Sequence, residues 1–134
     1  MYKKLQIESR QISLRLVEKV IDEVTGELGI SKDSYGKILV STIEGVNNAI
    51  THGNKSVPEK IVDIEFHSKG NDLKVKIRDE GEGFRPQDVP DPTLPENIEE
   101  LNGRGVFLMS RLADEIKYSR KGNMVIMTFK NILD

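Results

Sequence analysis

Apolar residues recur along the first part of this chain with the period of a helix, and along the rest mostly with the period of a strand. Lys3 to Ile7 alternates in polarity and reads as a short strand, and Ser9 is then a suitable N-cap. Leu14, Val17, Ile21, Val24 and Leu28 follow at spacings of 3, 4, 3 and 4, the stripe of an amphipathic helix that Gly29 ends. Asp33 or Ser34 caps a second helix, with Leu39, Ile43, Val46 and Ile50 on its apolar side. It runs to about residue 52 and stops at the Gly53-Asn54 pair. After Pro58 the period becomes 2. Val62, Ile64 and Phe66 alternate with Asp63, Glu65 and His67, and Leu73, Val75 and Ile77 alternate with Lys74, Lys76 and Arg78, a hairpin turning over 68–72 with His67 on its open face.

The period then disappears. Over 84–102 there is no regular pattern, and Pro86, Pro90, Pro92 and Pro95 are four of the five prolines. Loops longer than about 12–15 residues are uncommon in a compact domain and are usually functional or disordered, so this one reads as a lid, with room for a helical turn at 96–101. Gly103-Arg104-Gly105 opens a third helix carrying Val106, Leu108, Met109 and Leu112, and Ile116 to Tyr118 with Met124 to Phe129 form a closing hairpin.

Composition narrows the function. The 134 residues fit one domain. A net charge of −2 gives no global field for nucleic acid or membrane. The absence of Cys removes disulfides, thiolate metal sites and Cys nucleophiles, and two His cannot make a His-rich metal cluster. The first residues lack the apolar run of a signal peptide, and no apolar stretch is long enough to span a bilayer; a cytoplasmic location is the expectation.

Candidate chemistry begins on the second helix. Glu44, Asn48 and His52 stand at successive i+4 positions and share a face, which Asn47 and Thr51 widen. A solvated face is the ordinary reading of such a stripe. Against it, only Lys37 and Glu44 are charged between Tyr35 and His52, in a chain that is 31% charged. Two consecutive Asn also spend helix propensity without a packing return. A carboxylate with an amide one turn later suits a hard cation and its water, as Mg²⁺ takes one or two protein oxygens and the rest from water and phosphate. The second strand ends in Asp79-Glu80-Gly81-Glu82-Gly83, where a tight turn alone accounts for the glycines. Gly103 and Gly105 at a helix start suit a phosphate on free N–H groups, and equally suit close packing.

In this order the three features resemble the N box and two glycine boxes of the GHKL ATPases, which include gyrase, the histidine kinases and the MutL mismatch-repair proteins. Glu44, Asn48, Ala49 and His52 match the Glu-x-x-x-Asn-Ala-x-x-His of the small anti-sigma-factor serine/threonine protein kinases position by position. The resemblance covers nearly the whole chain. It implies one α+β domain over 1–134: a two-layer sandwich of the Bergerat type, its mixed, mostly antiparallel sheet covered on one face by helices, with an ATP lid loop. It also implies roles. Asn48 would ligate Mg²⁺ on the ATP phosphates, and Glu44 would be the general base or orient the attacking hydroxyl. Asp79 would accept the adenine amino hydrogen, with Gly81 and Gly83 letting the chain pass the base. The backbone of Gly103, Arg104, Gly105 and Val106 would wrap the phosphates, Arg104 adding a charge-assisted contact. His52 would line the site or pack against the lid.

The activity implied is transfer of the ATP γ-phosphate to Ser or Thr of a small regulator of the anti-anti-sigma type. A sigma factor would be a second partner, and dimerisation of the kind common among such proteins would accompany it. The alternatives are a nucleotide-dependent binding module without transfer, against which the retained Glu44 speaks, and a detached histidine-kinase catalytic domain. One departure is visible. Many GHKL proteins carry Gly-Thr before the last strand, where this chain has Gly122-Asn123, so Asn123 or Thr128 is left to supply that polar group.

Overall fold

The computed structural model describes residues 1–81 and 108–133. Strand β1 (Tyr2–Glu8) leads through a 3₁₀ turn (Gln11–Ser13) into helix α1 (Leu14–Leu28), and helix α2 (Lys32–Asn48) runs on into a π-helical turn (Ala49–Gly53). Strands β2 (Ile61–Lys69) and β3 (Asp72–Arg78) form a hairpin; after helical residues 108–112 come β4 (Glu115–Tyr118) and β5 (Met124–Phe129). The sheet order is β1-β2-β3-β5-β4, and every ladder among these strands is antiparallel.

The period of 2 turns directly into a one-sided core. Val62, Ile64, Phe66, Leu73 and Val75 are wholly buried, joined by Ile77 and, from β5, by Val125, Met127 and Phe129. The opposite face carries charge, in register: Asp63 stands opposite Arg78 and Glu65 opposite Lys76, the latter pair 3.2 Å apart. There the Tyr2 hydroxyl donates to Glu65, and its ring meets the exposed His67 edge-on. The hairpin turns on Gly70 (φ 60°) and Asn71, tighter than the span from 68 to 72.

The two helices share the buried side of the sheet. On α1 the expected stripe is the buried one, with Val17, Val20, Ile21 and Val24 in the core, and Gly29 ends the helix in the left-handed region (φ 67°). Its start differs from the expectation. Ser9 does not cap α1; it is buried, its hydroxyl donating to the Lys60 carbonyl at 2.6 Å, and the 3₁₀ turn supplies the lead-in. The cap of α2 is Ser31, whose side chain accepts from the Ser34 N–H at 3.2 Å, with Asp33 in the first turn where a negative charge meets the positive helix end.

Of the expected apolar side of the second helix, Val46 and Ile50 are wholly buried, but the inward face of α2 is shifted from the rest of it. Ile38, Ser41, Thr42, Gly45 and Val46 face inward, while Leu39 and Ile43 are only partly covered. Close approach to the sheet is the reason: a Cβ on Gly45 would stand 2.7 Å from Ile77 Cδ1 and 3.2 Å from Met109 Sδ. Small residues let the helix axis come that near, at the cost of two buried hydroxyls, Ser41 and Thr42, that have no hydrogen-bond partner among the described residues.

Candidate functional site

The end of α2 forms one wall of a cleft of ≈ 230 Å³. After Asn48 the helix widens: the Asn54 N–H donates to the Ala49 carbonyl at 2.8 Å, five residues back, in place of the α-helical four. Single π-turns of this kind interrupt α-helices mostly at functional sites. The change of phase brings Gly53 to the cleft together with Gly45, Asn48, Ala49 and His52. Asn47 and Thr51 leave it. Gln11 Nε2 donates to Asn47 Oδ1 at 3.0 Å, and the Thr51 hydroxyl donates to the Asn47 carbonyl at 2.5 Å. Glu44 is half-buried one turn before Asn48, on the same helix but outside the cleft lining. Beyond the π-turn, Lys55 (φ 52°) and Ser56 (φ 58°) are consecutive non-glycine residues in the left-handed region, a conformation that surrounding structure must enforce, and Lys55 lines the cleft.

The opposite wall is the turn after β3. Asp79 Oδ1 accepts the Gly81 N–H at 2.7 Å, which folds the carboxylate back over its own turn. Burial pushes the Asp79 carboxyl above the usual range, resisted by that N–H bond and then by the charges of Lys121 and Lys60. Gly53 packs directly on this group, so that a Cβ there would fall on the carboxylate; likewise a Cβ on Gly81 would fall on the Gly53 carbonyl. The close contact between these two turns is what requires both glycines. Gly81 itself does not line the cleft.

Asn123 completes the support. The Asp79 N–H donates to its carbonyl at 2.9 Å, and its side-chain Nδ2 returns a bond to the Asp79 carbonyl at 3.2 Å. The Ser119 hydroxyl donates to Asn123 Oδ1 at 3.3 Å. Asn123 therefore lines the cleft beside Asp79. Thr128 lies further along β5, opposite Glu115 on one side and Lys74 on the other, and does not reach the cleft.

Ile77, Met109, Tyr118, Met124 and Val125 make the remaining surface apolar. Sequence reading passed over Lys55, Met109, Tyr118 and Met124; for Tyr118 a signal existed, since the alternation of β4 puts it on the side of Ile116. Burial raises the Tyr118 hydroxyl to about 12, so it is neutral at any physiological pH. Gly83, Gly103, Arg104, Gly105, Val106 and the lid lie outside the described residues.

Asn48 is the polar group that a ligand would answer. The residue is 8% exposed, and among the described residues Nδ2 has no hydrogen-bond partner. An unpaired buried amide costs about 1–3 kcal/mol. An Asn amide also has both a donor and an acceptor end, so it suits a phosphate oxygen and a hard cation beside it. Among the described residues no cluster of three or more His, Asp or Glu could hold a metal without such help.

Comparison with known proteins bears on the family and the fold. The model of the histidine kinase-like ATPase domain family matches residues 7–129. The serine-protein kinase RsbW of Oceanobacillus iheyensis is 24% identical over 139 aligned residues, covering 99% of this chain and 88% of that protein. RsbW of Bacillus subtilis is 25% identical, covering 95% of this chain and 84% of its own length. The anti-sigma F factor of Anoxybacillus flavithermus is 29% identical over 99 residues, 72% of this chain and 68% of that one. In the solved structures, the RsbU and RsbW domains of a Mycobacterium tuberculosis protein share the fold with a TM-score of 0.64 at 14% identity. The match covers 99% of this chain and 32% of that longer one.

Proposed function

The chain belongs to the histidine kinase-like ATPase domain family, and from that premise we propose that it is a Mg²⁺- and ATP-dependent regulatory kinase of the anti-sigma type, folded as one domain over its whole length. The observation that carries this reading is the pairing, across one cleft, of an unpartnered buried amide (Asn48) with a desolvated carboxylate (Asp79). Adenine offers an amino donor to the carboxylate, and the apolar walls from Ile77, Met109 and Val125 suit its faces. The phosphates would then run toward Asn48, with Lys55 at the cleft. Asn48 would hold Mg²⁺, which neutralises charge on the transferring phosphate.

Transfer itself needs positioning more than covalent chemistry. The hydroxyl oxygen of a Ser or Thr on the partner protein attacks the γ-phosphorus as the bond to the β,γ-bridging oxygen breaks. ADP departs with that electron pair, and the hydroxyl proton passes to the Glu44 carboxylate. That Glu44 lies outside the cleft lining yet one turn from Asn48 supports this role, since the base must meet the incoming hydroxyl and not the nucleotide. The relatives' names, serine-protein kinase and anti-sigma F factor, support a small anti-anti-sigma-like protein as phosphoacceptor and a sigma factor as alternate partner. In our reading the kinase acts as a homodimer in the cytoplasm. No helix among the described residues is long and apolar enough to cross a membrane.

Glu44→Gln tests the transfer step. It should keep ATP binding within about threefold and lower phosphorylation of the partner by at least about 100-fold, the scale of general-base catalysis. A variant that transfers at the wild-type rate removes Glu44 from the chemistry. Unchanged binding with no transfer by the wild type would favour a nucleotide-dependent binding module.

A further inference from the structure

We propose that Asn54 is a positioning residue that sets the aim of the Asp79 carboxylate, and through it the preference of the cleft for adenine; this rests on the nucleotide reading above. Asn54 is wholly buried and lies outside the cleft lining, so it acts only through neighbours. All of its hydrogen-bonding groups are used. Its side-chain Nδ2 donates to Ser9 Oγ at 2.9 Å and to the Ile61 carbonyl at 3.2 Å, and Oδ1 accepts the Glu80 N–H at 2.7 Å. Its own N–H closes the π-turn on Ala49 and its carbonyl takes the Val57 N–H at 3.0 Å.

The bond that matters is the one to Glu80. Glu80 sits between Asp79 and Gly81, and the Gly81 N–H is the group that holds Asp79 Oδ1. Fixing the Glu80 peptide from one side, while Asn123 fixes the Asp79 peptide from the other, leaves the carboxylate one orientation. The Glu80 carboxylate adds a second tie by accepting the Ile61 N–H. Asn54 is in turn braced by Ser9, whose hydroxyl donates onward to the Lys60 carbonyl. Only Asn fits this place. Asp lacks the two donors, Ser is too short to span the three partners, and Gln adds a methylene to a site with no exposed surface.

Adenine and guanine differ where Asp79 would read them, an amino donor against a carbonyl acceptor, so loss of aim should show in base preference. The test is calorimetric titration of Mg²⁺-ATP and Mg²⁺-GTP into wild type, Asn54→Ala, Asp79→Asn and the double variant. Asn54→Ala should weaken ATP binding about tenfold or more and GTP binding less than about threefold, and in the Asp79→Asn background its ATP effect should fall below about threefold. Equal losses for both nucleotides, the same ATP loss in both backgrounds, or no loss at all would overturn the proposal. If Asn54→Ala does not fold, Ser9→Ala decides. It removes only the brace and should lower the ATP-over-GTP preference about threefold; an unchanged preference overturns the proposal. A wild type that binds neither nucleotide would overturn the nucleotide reading and this inference together. A wild type whose ATP binding depends on Asp79 but not on Asn54 would overturn this inference alone.

Discussion

Replacing Asp79 by Asn separates the two things this carboxylate does. In the fold its Oδ1 receives the Gly81 N–H at 2.7 Å, a bond that an amide oxygen can keep, so the turn should survive. What disappears is the charge. Hydrogen bonds to a charged group contribute about 1.5–3 kcal/mol, against about 0.5–1.5 for neutral pairs, and an Asn turned the other way would present a donor to a donor. ATP affinity should therefore fall about 10- to 100-fold, read by calorimetry. The protein without nucleotide should respond in the opposite sense. Burial raises the Asp79 carboxyl above its unfolded value of 3.8, so its favourable contribution is complete below that value and is lost as pH rises through the folded pKa. At neutral pH the ionised Asp79 thus burdens the fold, and Asp79→Asn should unfold at the same temperature as wild type or higher. That gap should close as pH is lowered toward the unfolded value. A nucleotide-free variant clearly less stable at neutral pH would refute the desolvation argument, and unimpaired ATP binding would take Asp79 out of base recognition.

Other perturbations test the surroundings. Gly53→Ala places a Cβ on the Asp79 carboxylate, so it should cost about 1–3 kcal/mol of stability and weaken ATP binding at once; unfolding midpoints equal to wild type would mean that the two turns part easily. Phe66→Ala empties the largest wholly buried side chain of the sheet and should lower stability by about 3–5 kcal/mol in urea unfolding, a large share of what a domain this size possesses. Asn123→Ala leaves the Asp79 carbonyl without its side-chain donor and should cost about 1–2 kcal/mol, with a parallel loss of ATP affinity that Thr128→Val should not reproduce.

How far the chain could be read in advance follows from the range of each interaction. An antiparallel sheet buried on one face writes its period of 2 into consecutive residues, so β2 and β3 were legible together with their inward faces, whereas the apolar run of β5 announced a strand without an inward face. Helix α1 was legible for the same reason, with its apolar stripe as the buried one. Helix α2 was legible only in part: Val46 and Ile50 are buried as its apolar stripe predicts, but close approach to the sheet is achieved with Ser41, Thr42 and Gly45, residues that a search for apolar periodicity scores as outward. The π-turn differs from an α-helix by one residue in its bonding and leaves no composition of its own; the Gly53-Asn54 pair announced an ending and nothing more.

The same distinction runs through the site. Groups expected to touch a ligand, such as Asn48 and Asp79, are restricted in type by the chemistry and in spacing by the element that carries them, so a motif exposes them. The groups that hold them are restricted only by where the chain returns. Asn54 reads locally as a helix C-cap, yet its side-chain partners Ser9, Ile61 and Glu80 lie 45, 7 and 26 residues away. Nothing near Asn54 in sequence distinguishes an amide that ends a helix from one that joins three segments. Asn123 shows the converse. As a departure from Gly-Thr it left the polar group of the pocket open, and the fold gives it two roles, as donor to the Asp79 carbonyl through Nδ2 and as acceptor from Ser119 through Oδ1. A substitution that breaks a motif therefore has to be judged by which backbone groups it satisfies, and here those groups belong to Asp79.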